Sequence, residues 1–251
     1  MIAAIVTDEH IASSIIMPKM AGQNTGWIPA QSFRRWLEVA STVAVLVAAV
    51  AMTWTVWKQP SAPPGRPPVE VPDKLVDVAH AARLGNDAAT VALVEFSDFE
   101  CPYCAQFTRE TLPAIKERYI DTGLVRLVFI HLPLTIHQHA QAAAEAAACA
   151  QRQGHFWEMH DRLFVSAERL RQQDLRNYAE EIGLDLPAFE QCGNTGSPIE
   201  LDIELATDLG ITATPTFLVG RIRADGAVET VEVIEGAVPL ERFVDAIEPL
   251  R

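Results

Sequence analysis

Two cysteines at the end of a short apolar segment constrain this chain more than any other feature. The segment from Val94 to Cys104 reads V-E-F-S-D-F-E-C-P-Y-C, which predicts a buried strand, a polar turn and a helix that begins at the cysteines. Residues three apart share one face of a helix. The sulfurs of Cys101 and Cys104 can therefore close a small disulfide ring or exchange with an external disulfide.

The position of this pair at a helix start predicts different roles for the two thiols. Unpaired N–H groups and the positive end of the helix dipole favour an anion there, which lowers the pKa of the first cysteine. Pro102 suits the first helical position because its missing N–H costs nothing there. We expect Cys101 to be the exposed nucleophile and Cys104, one turn further on, to be the more buried resolving thiol.

Composition argues against two classes of protein. Four cysteines in 251 residues are too few for a small disulfide scaffold, so ordinary apolar burial must supply the core. A formal net charge of -13 argues against a nucleic acid or an anionic lipid as the partner.

The N-terminal part of the chain predicts a membrane attachment. We interpret residues 1–36 as a short cytoplasmic tail and 37–57 as a transmembrane signal-anchor helix, because the 19 residues from 39 to 57 carry no charge. As a helix they would span about 28 Å, close to the roughly 30 Å hydrocarbon core of a bilayer. Arg34 and Arg35 precede this run, which predicts a cytoplasmic N-terminus and an extracytoplasmic remainder.

A cleaved signal peptide and a buried core helix are the alternatives for this apolar run. Ala49-Val50-Ala51 has the form of a cleavage site, but the apolar run continues to Trp57, which favours an uncleaved anchor. Residues 58–72 contain six prolines and predict an extended, semi-rigid linker. This linker detaches the apolar run from a folded domain that we place at 73–251.

The domain at 73–251 alternates strand and helix patterns, which predicts an α/β fold. A second strand is expected at 124–132, and a helical block at about 136–195 separates two halves of the predicted sheet. Asp225-Gly226 predicts a hairpin turn between the last two strands.

These motifs resemble the DsbA-like branch of the thioredoxin superfamily. The resemblance covers roughly 73–251 and implies a thioredoxin fold with an inserted helical subdomain, here preceded by one transmembrane helix. It rests on several motifs in the expected order, namely Glu95 to Glu100 before C-P-Y-C, Phe156-Trp157 with His160-Asp161, and Thr214-Pro215-Thr216-Phe217.

The resemblance also implies a substrate-binding surface. A cis peptide bond is expected before Pro215, in a loop that packs against the active cysteines and whose backbone pairs with an extended substrate chain. Thr214 would line that contact, and Pro102 and Tyr103 complete the expected substrate-binding residues.

Glu95 occupies the position at which members of this family carry a buried acid. A buried carboxyl has a raised pKa and can relay a proton to or from Cys104 during exchange. Glu95 therefore joins Cys101 and Cys104 in the predicted catalytic set. The alternative is that Glu95 faces outward on an edge of its strand.

Cys149 and Cys192 form a second pair, about 43 residues apart. Similar family members carry a second pair in the insertion, which favours a structural disulfide in an oxidising compartment. Two buried free thiols that pack as small apolar groups are the alternative.

The function implied by the resemblance is thiol-disulfide exchange with exported, cysteine-containing proteins. We expect the chain to introduce disulfides from the outer face of the inner membrane and to be reoxidised by a quinone-linked membrane partner, without a cofactor or a metal. Tyr103 stands where strongly oxidising members carry a histidine, so an isomerase or reductase that a membrane electron donor keeps reduced is the alternative.

Two further interpretations compete with exchange. A metal-binding module would need four zinc ligands, and His137 and His139 are more typical of capping or surface positions. A non-catalytic thioredoxin-like module would not need both cysteines. We assign structural or exposed positions to the other histidines considered, which are His10, His80, His131, His155 and His160.

Overall fold

The strand that leads to the cysteine pair lies at the centre of a mixed sheet. The computed structural model describes residues 68–192 and 199–251, and the sheet within these ranges has the order β1-β3-β2-β4-β5. β2 and β3 are parallel, and the other neighbouring pairs are antiparallel. The strands are β1 (Ala82–Leu84), β2 (Val91–Ser97), β3 (Val125–His131), β4 (Thr216–Ile222) and β5 (Val228–Glu235).

The helices flank this sheet and fill the connection between β3 and β4. The first, α1, consists of four consecutive segments, of which the second and fourth are π-helical: Pro102–Gln106, Phe107–Thr111, Leu112–Ile115 and Lys116–Ile120. The others are α2 (Ala140–Gln151), α3 (Phe156–Val165), α4 (Gln172–Glu181), α5 (Leu186–Cys192), α6 (Glu200–Asp208) and α7 (Leu240–Ile247), followed by a 3₁₀ turn at Glu248–Leu250.

The composition of β2 explains its central place. All of its residues are buried, as expected for a strand covered on both faces. Alternate residues point to opposite faces, so that Val91 and Leu93 pack with α1 and α7 while Val94 and Phe96 pack with α6. The strand is therefore held in a fixed position, and so is the turn that follows it.

The helical block consists of α2 to α5. Helix α2 is mostly alanine, and its buried face joins an apolar cluster with Met159 of α3 and Tyr178 of α4. Phe129 of β3, Cys101 and Cys104 belong to the same cluster. The block thus packs directly against the start of α1.

The described residues have the predicted α/β architecture, with one strand that the sequence did not predict. β1 has three residues and no period of its own, and its antiparallel pairing with β3 makes it a strand. The segment that precedes the predicted domain start at Asp73 also contacts the domain. Its Val69 N–H donates to Glu235 Oε1 of β5 at 2.8 Å.

The predicted N-terminal segments cannot be compared with the structure, because they lie outside the described residues. The predicted tail at 1–36, the predicted anchor at 37–57 and residues 58–67 of the predicted linker lie outside the described residues. Among the helices that are described, none is long and apolar enough to cross a membrane.

Candidate active site

The turn after β2 places Cys101 at the start of α1. Cys101 is the N-cap residue, with φ -76° and ψ 121°, and Pro102 follows as the first helical residue. The Cys101 N–H donates to the Asp98 carbonyl at 3.1 Å, and the Cys101 carbonyl accepts the Ala105 N–H at 3.1 Å. The first cysteine therefore lies at the helix terminus, where an anion is favoured.

Cys101 is not exposed, which corrects the sequence-based expectation. Only 3% of the residue is accessible to solvent, because the loop that contains Thr214 lies against it. The Cys101 Sγ donates to the Thr214 carbonyl oxygen at 3.5 Å, and the Thr214-Pro215 peptide bond is cis. A helix start on its own predicts access to water, but this one lies beneath a distant loop.

The two cysteines of the C-P-Y-C segment, which are free thiols here, have different pKa shifts. A hydrogen bond from Cys104 lowers the pKa of Cys101 to about 6, against the opposing effect of burial and with the help of the Tyr103 and Cys104 N–H groups. Burial, together with the neighbouring Cys101, raises the pKa of Cys104 well above its usual range. These shifts favour a thiolate at Cys101 and a thiol at Cys104 near neutral pH.

Glu95 lies in the middle of the central strand, where its register partners are Phe129 and Phe217. It is fully buried, so the alternative of an outward-facing side chain is wrong. Neither carboxyl oxygen has a hydrogen-bond partner among the described residues, and burial raises the pKa of Glu95 to about 7. Its negative charge contributes to the raised pKa of Cys104, which places the two groups within electrostatic reach of each other.

The four expected substrate-binding residues differ in their exposure to solvent. Tyr103 is 61% exposed and Pro102 is also exposed, whereas Thr214 and Pro215 are buried. A cleft of about 580 Å³ borders Pro102, between the start of α1 and the end of α3. Its lining combines apolar and charged residues, including Glu100, Pro102, Ala105, Arg109, Phe164 and Arg169.

The second pair of cysteines is bonded within the helical block. The Cys149 and Cys192 sulfurs are 2.01 Å apart, and the bond links α2 to the last residue of α5. This pair is separate from the Cys101 and Cys104 thiols, which lie at the start of α1.

Asp98 and His137 form a contact that was not predicted from the sequence. The His137 Nδ1 lies 2.7 Å from the Asp98 Oδ2, although 39 residues separate them in the chain. Asp98 follows β2 and His137 follows β3, and these strands are parallel. Their carboxyl ends therefore share one edge of the sheet, and this was the signal that could have indicated the contact.

Among the described residues, the other histidines have structural or partly exposed surroundings, and His10 lies outside the described ranges. His80 Nε2 lies 2.6 Å from Asp202 Oδ1, and the rings of His131 and His160 are buried among aromatic side chains. His139 contributes its backbone N–H, which donates to Glu100 Oε2 at 2.6 Å. Within the described ranges, no group of three or more His, Cys, Asp or Glu side chains is placed to hold a metal ion.

Comparison with known sequences connects the chain to two kinds of relative. A family model described as thioredoxin matches residues 78–237, more than half of the chain. A Na⁺/H⁺ antiporter NhaA 3 from Salinispora tropica is 43% identical over 158 residues, which are 61% of this chain and 24% of the relative. The chain thus spans about a quarter to a third of the length of the antiporter relatives that it matches.

Solved structures match the domain over most of their own length. Wolbachia pipientis alpha-DsbA1 is 28% identical, covers 70% of this chain and 92% of its own, and superposes with a TM-score of 0.59. BdbD from Bacillus subtilis, in its oxidised form, covers 70% and 95% with a TM-score of 0.60, and its 24% identity supports the fold alone. With the C-P-Y-C helix start, the cis-proline loop and the helical insertion, these matches show that the chain belongs to the thioredoxin family, as a thiol-disulfide oxidoreductase of the DsbA-like type.

Proposed function

We propose that this protein introduces disulfide bonds into exported proteins through Cys101 and Cys104. The observation that carries the proposal is the lowered pKa of Cys101 beside the raised pKa of Cys104. A stabilised thiolate exists only in the reduced pair, so it favours reduction of the Cys101–Cys104 disulfide and makes that disulfide a stronger oxidant.

The proposed exchange starts from the oxidised pair. A substrate thiolate attacks Cys101 Sγ, the Cys101–Cys104 bond breaks, and Cys104 leaves with the electron pair and takes up a proton. A second substrate thiolate then attacks the substrate sulfur of the mixed disulfide and releases Cys101 as a thiolate. The substrate gains a disulfide, and two electrons pass to the protein.

We assign the proton transfer at Cys104 to Glu95. A carboxyl with a pKa of about 7 can hold or release a proton near neutral pH. Glu95 is buried on the face of β2 that packs against α1, the helix that carries Cys104. Without such a group, the buried sulfur would have to exchange its proton with distant solvent.

We assign substrate binding to the exposed Pro102 and Tyr103 and to the loop at Thr214-Pro215. The cleft between α1 and α3 borders Pro102 and is large enough for side chains of an extended polypeptide. Its mixed apolar and charged lining suits unfolded chains of varied sequence better than it suits one small ligand.

We place the domain outside the cytoplasm, on a single-pass anchor at 37–57 in the inner membrane with the N-terminus inside. The Cys149–Cys192 bond supports an oxidising compartment, and the charge-free run after Arg34 and Arg35 supports the anchor. Relatives named as Na⁺/H⁺ antiporters include a matching region. Reoxidation of the pair is assigned to a quinone-linked oxidase in the same membrane.

Acid-quenched thiol trapping in native cells tests the direction of exchange. Free thiols are alkylated immediately after the acid quench, and mass spectrometry shows which of the four cysteines carry the label. A pair that is mainly oxidised supports a disulfide donor. A pair that is mainly reduced while Cys149 and Cys192 stay bonded contradicts the proposal and indicates an isomerase or reductase with a membrane electron donor.

Substitution of the two thiols tests their roles. Cys101→Ser should abolish oxidative refolding of a reduced substrate, because it removes the attacked sulfur. Cys104→Ala should instead accumulate mixed disulfides when its Cys101 thiolate attacks a disulfide of a substrate, because the Cys104 thiol that would displace the substrate is missing. Full refolding activity in Cys101→Ser would contradict the mechanism, and Cys149→Ala/Cys192→Ala is the matched control for the loss of other cysteines.

A further inference from the structure

The loop after β3 is hydrogen-bonded to the turn that carries Cys101. The Leu134 N–H donates to Asp98 Oδ2 at 2.8 Å, and the His139 N–H donates to Glu100 Oε2 at 2.6 Å. The loop therefore places its own side chains beside the active-site turn.

Asp98 is the centre of this contact. Its side chain is fully buried, with Oδ1 accepting the Glu100 N–H at 2.8 Å and Oδ2 accepting from Leu134 and from His137 Nδ1. A buried carboxylate requires such donors. The Asp98 backbone carbonyl also accepts the Cys101 N–H. Asp98 is therefore hydrogen-bonded to both His137 and Cys101.

The imidazole of His137 is held in a defined orientation. A carboxylate can only accept hydrogen bonds, so Nδ1 carries the proton that is shared with Asp98 and further proton uptake takes place at Nε2. The side chain is 17% exposed, which leaves it accessible to water. On protonation the ring becomes a cation beside the active-site turn.

The charges around His137 favour this cation. Partial burial acts to lower the pKa of His137, but the hydrogen bond with Asp98 and the negative charges of Asp98, Cys101 and Glu100 raise it overall. Asp98 links the two groups, because its carboxylate accepts from the ring and its backbone carbonyl accepts the Cys101 N–H. The charge interaction between Cys101 and His137 is one of the causes that raise the pKa of His137. Such an interaction is reciprocal, so a thiolate that favours the imidazolium is favoured by it to the same extent.

We propose that His137, positioned by Asp98, supplies the positive charge that stabilises the Cys101 thiolate from outside the C-P-Y-C segment. Pro102 and Tyr103, between the two cysteines, carry no positive charge, and His137 reaches the site from the loop after β3. Its contribution adds to those of Cys104 and the helix N–H groups. The inference rests on Cys101 as the attacking thiol, as proposed above, and is independent of the direction of exchange.

The test is the pH dependence of Cys101 alkylation in the reduced full-length protein. His137→Gln removes the charge and keeps a side chain that can donate to Asp98, and His137→Arg keeps a positive charge. His155→Gln is the control, because His155 lies at the surface beside Glu158. Iodoacetamide is the probe, and mass spectrometry of the Cys101 peptide gives the rate at each pH.

In His137→Gln we expect the rate near pH 6, close to the pKa of Cys101, to fall about threefold, the size of effect expected when one nearby charge is removed in a high-dielectric environment. The rate profile should shift to higher pH in this variant, and should match the wild type in His137→Arg and His155→Gln. His137→Asn provides a second neutral variant if the glutamine variant does not fold.

Two results overturn the inference: an unchanged profile in the neutral variants, or an arginine variant that behaves like them. The second result would show that the shape of His137, and not its charge, is what the site requires. Thiol trapping in cells separates this outcome from failure of the proposed function, since a pair that is reduced in cells contradicts the donor role whatever the profile of Cys101 shows.

Discussion

At the level of single residues, neighbouring buried groups have pKa shifts of opposite sign. Burial raises the pKa of Cys104 and the pKa of Glu95, because both lose hydration of their charged forms. For Cys101 the hydrogen bond from Cys104 outweighs burial, and the pKa falls. The result is one sulfur suited to attack and one suited to hold a proton.

The raised pKa of Glu95 predicts a pH-dependent stability. The Glu95 carboxyl binds its proton more tightly in the folded protein than in the unfolded chain. Protonation of Glu95 therefore stabilises the fold fully below pH 4.5, and this stabilisation is lost as the pH rises through about 7. Glu95→Gln should remove this dependence and be more stable than the wild type above pH 7, by up to about 3 kcal/mol.

Urea unfolding at acidic and alkaline pH, with Cys101 and Cys104 joined as their disulfide so that they do not titrate, measures this difference. Glu117→Gln, at an exposed position of α1, is the matched control and should follow the wild type. Parallel stability curves for Glu95→Gln and the wild type would contradict a buried, titrating carboxyl.

The same substitution predicts a slower exchange reaction. Glu95→Gln cannot pass a proton to or from Cys104, so the rate at neutral pH should fall about tenfold or more, while alkylation of Cys101 should change little. Stopped-flow measurement of disulfide transfer to a reduced peptide tests this expectation. A wild-type rate would show that water reaches Cys104 without the help of Glu95.

At the level of elements, the active site depends on two parallel strands that end together. β2 carries the turn with Asp98 and Cys101, and β3 carries the loop with His137. The helical block follows that loop, and its first and last helices are linked by the Cys149–Cys192 bond. A covalent bond therefore connects the two ends of the helical block.

Removal of that link should destabilise the protein without changing the active site. For a closed loop of this length, 43 residues apart in sequence, chain entropy predicts that Cys149→Ala/Cys192→Ala loses about 4 kcal/mol of unfolding free energy. Urea unfolding measures the loss, and the Cys101 alkylation rate is the internal control. A loss below about 1 kcal/mol would indicate that the unfolded chain is compact without the bond.

At the level of the whole molecule, we propose that the exchange domain is held at a membrane surface. The described residues form one compact unit that contains the proposed catalytic cysteines, Glu95 and the cis-proline loop. The segments proposed to attach it to the membrane precede this unit in the chain.

This division predicts where the protein fractionates. The full chain should sediment with membranes and a chain that begins at residue 68 should not, because the charge-free run at 39–57 is long enough to span the hydrocarbon core. Both forms should transfer disulfides to a reduced peptide at the same rate. A full chain in the soluble fraction would contradict the uncleaved anchor.

Much of the fold was predictable because its signals are local or periodic. The strand before Cys101, the helix start at Pro102 and the helical block each follow from a few consecutive residues, and the DsbA-like thioredoxin fold was correctly inferred from their order. β1 was missed, since three residues show no period. The exposure of Cys101 was predicted wrongly, since the loop at Thr214 that covers it is more than a hundred residues away in the chain.

The sequence by itself determined the chemistry of this protein: two thiols one helical turn apart, a proline to start the helix, and a carboxyl on the strand before them. These features depend only on short stretches of chain, and the neighbouring residues set the geometry of each stretch. The tertiary structure alone decided the surroundings of that chemistry, by placing Thr214 over Cys101, two phenylalanines beside Glu95 and His137 against Asp98. Such contacts join distant parts of the chain, and their distances follow from strand pairing and the paths of loops, which no local pattern specifies.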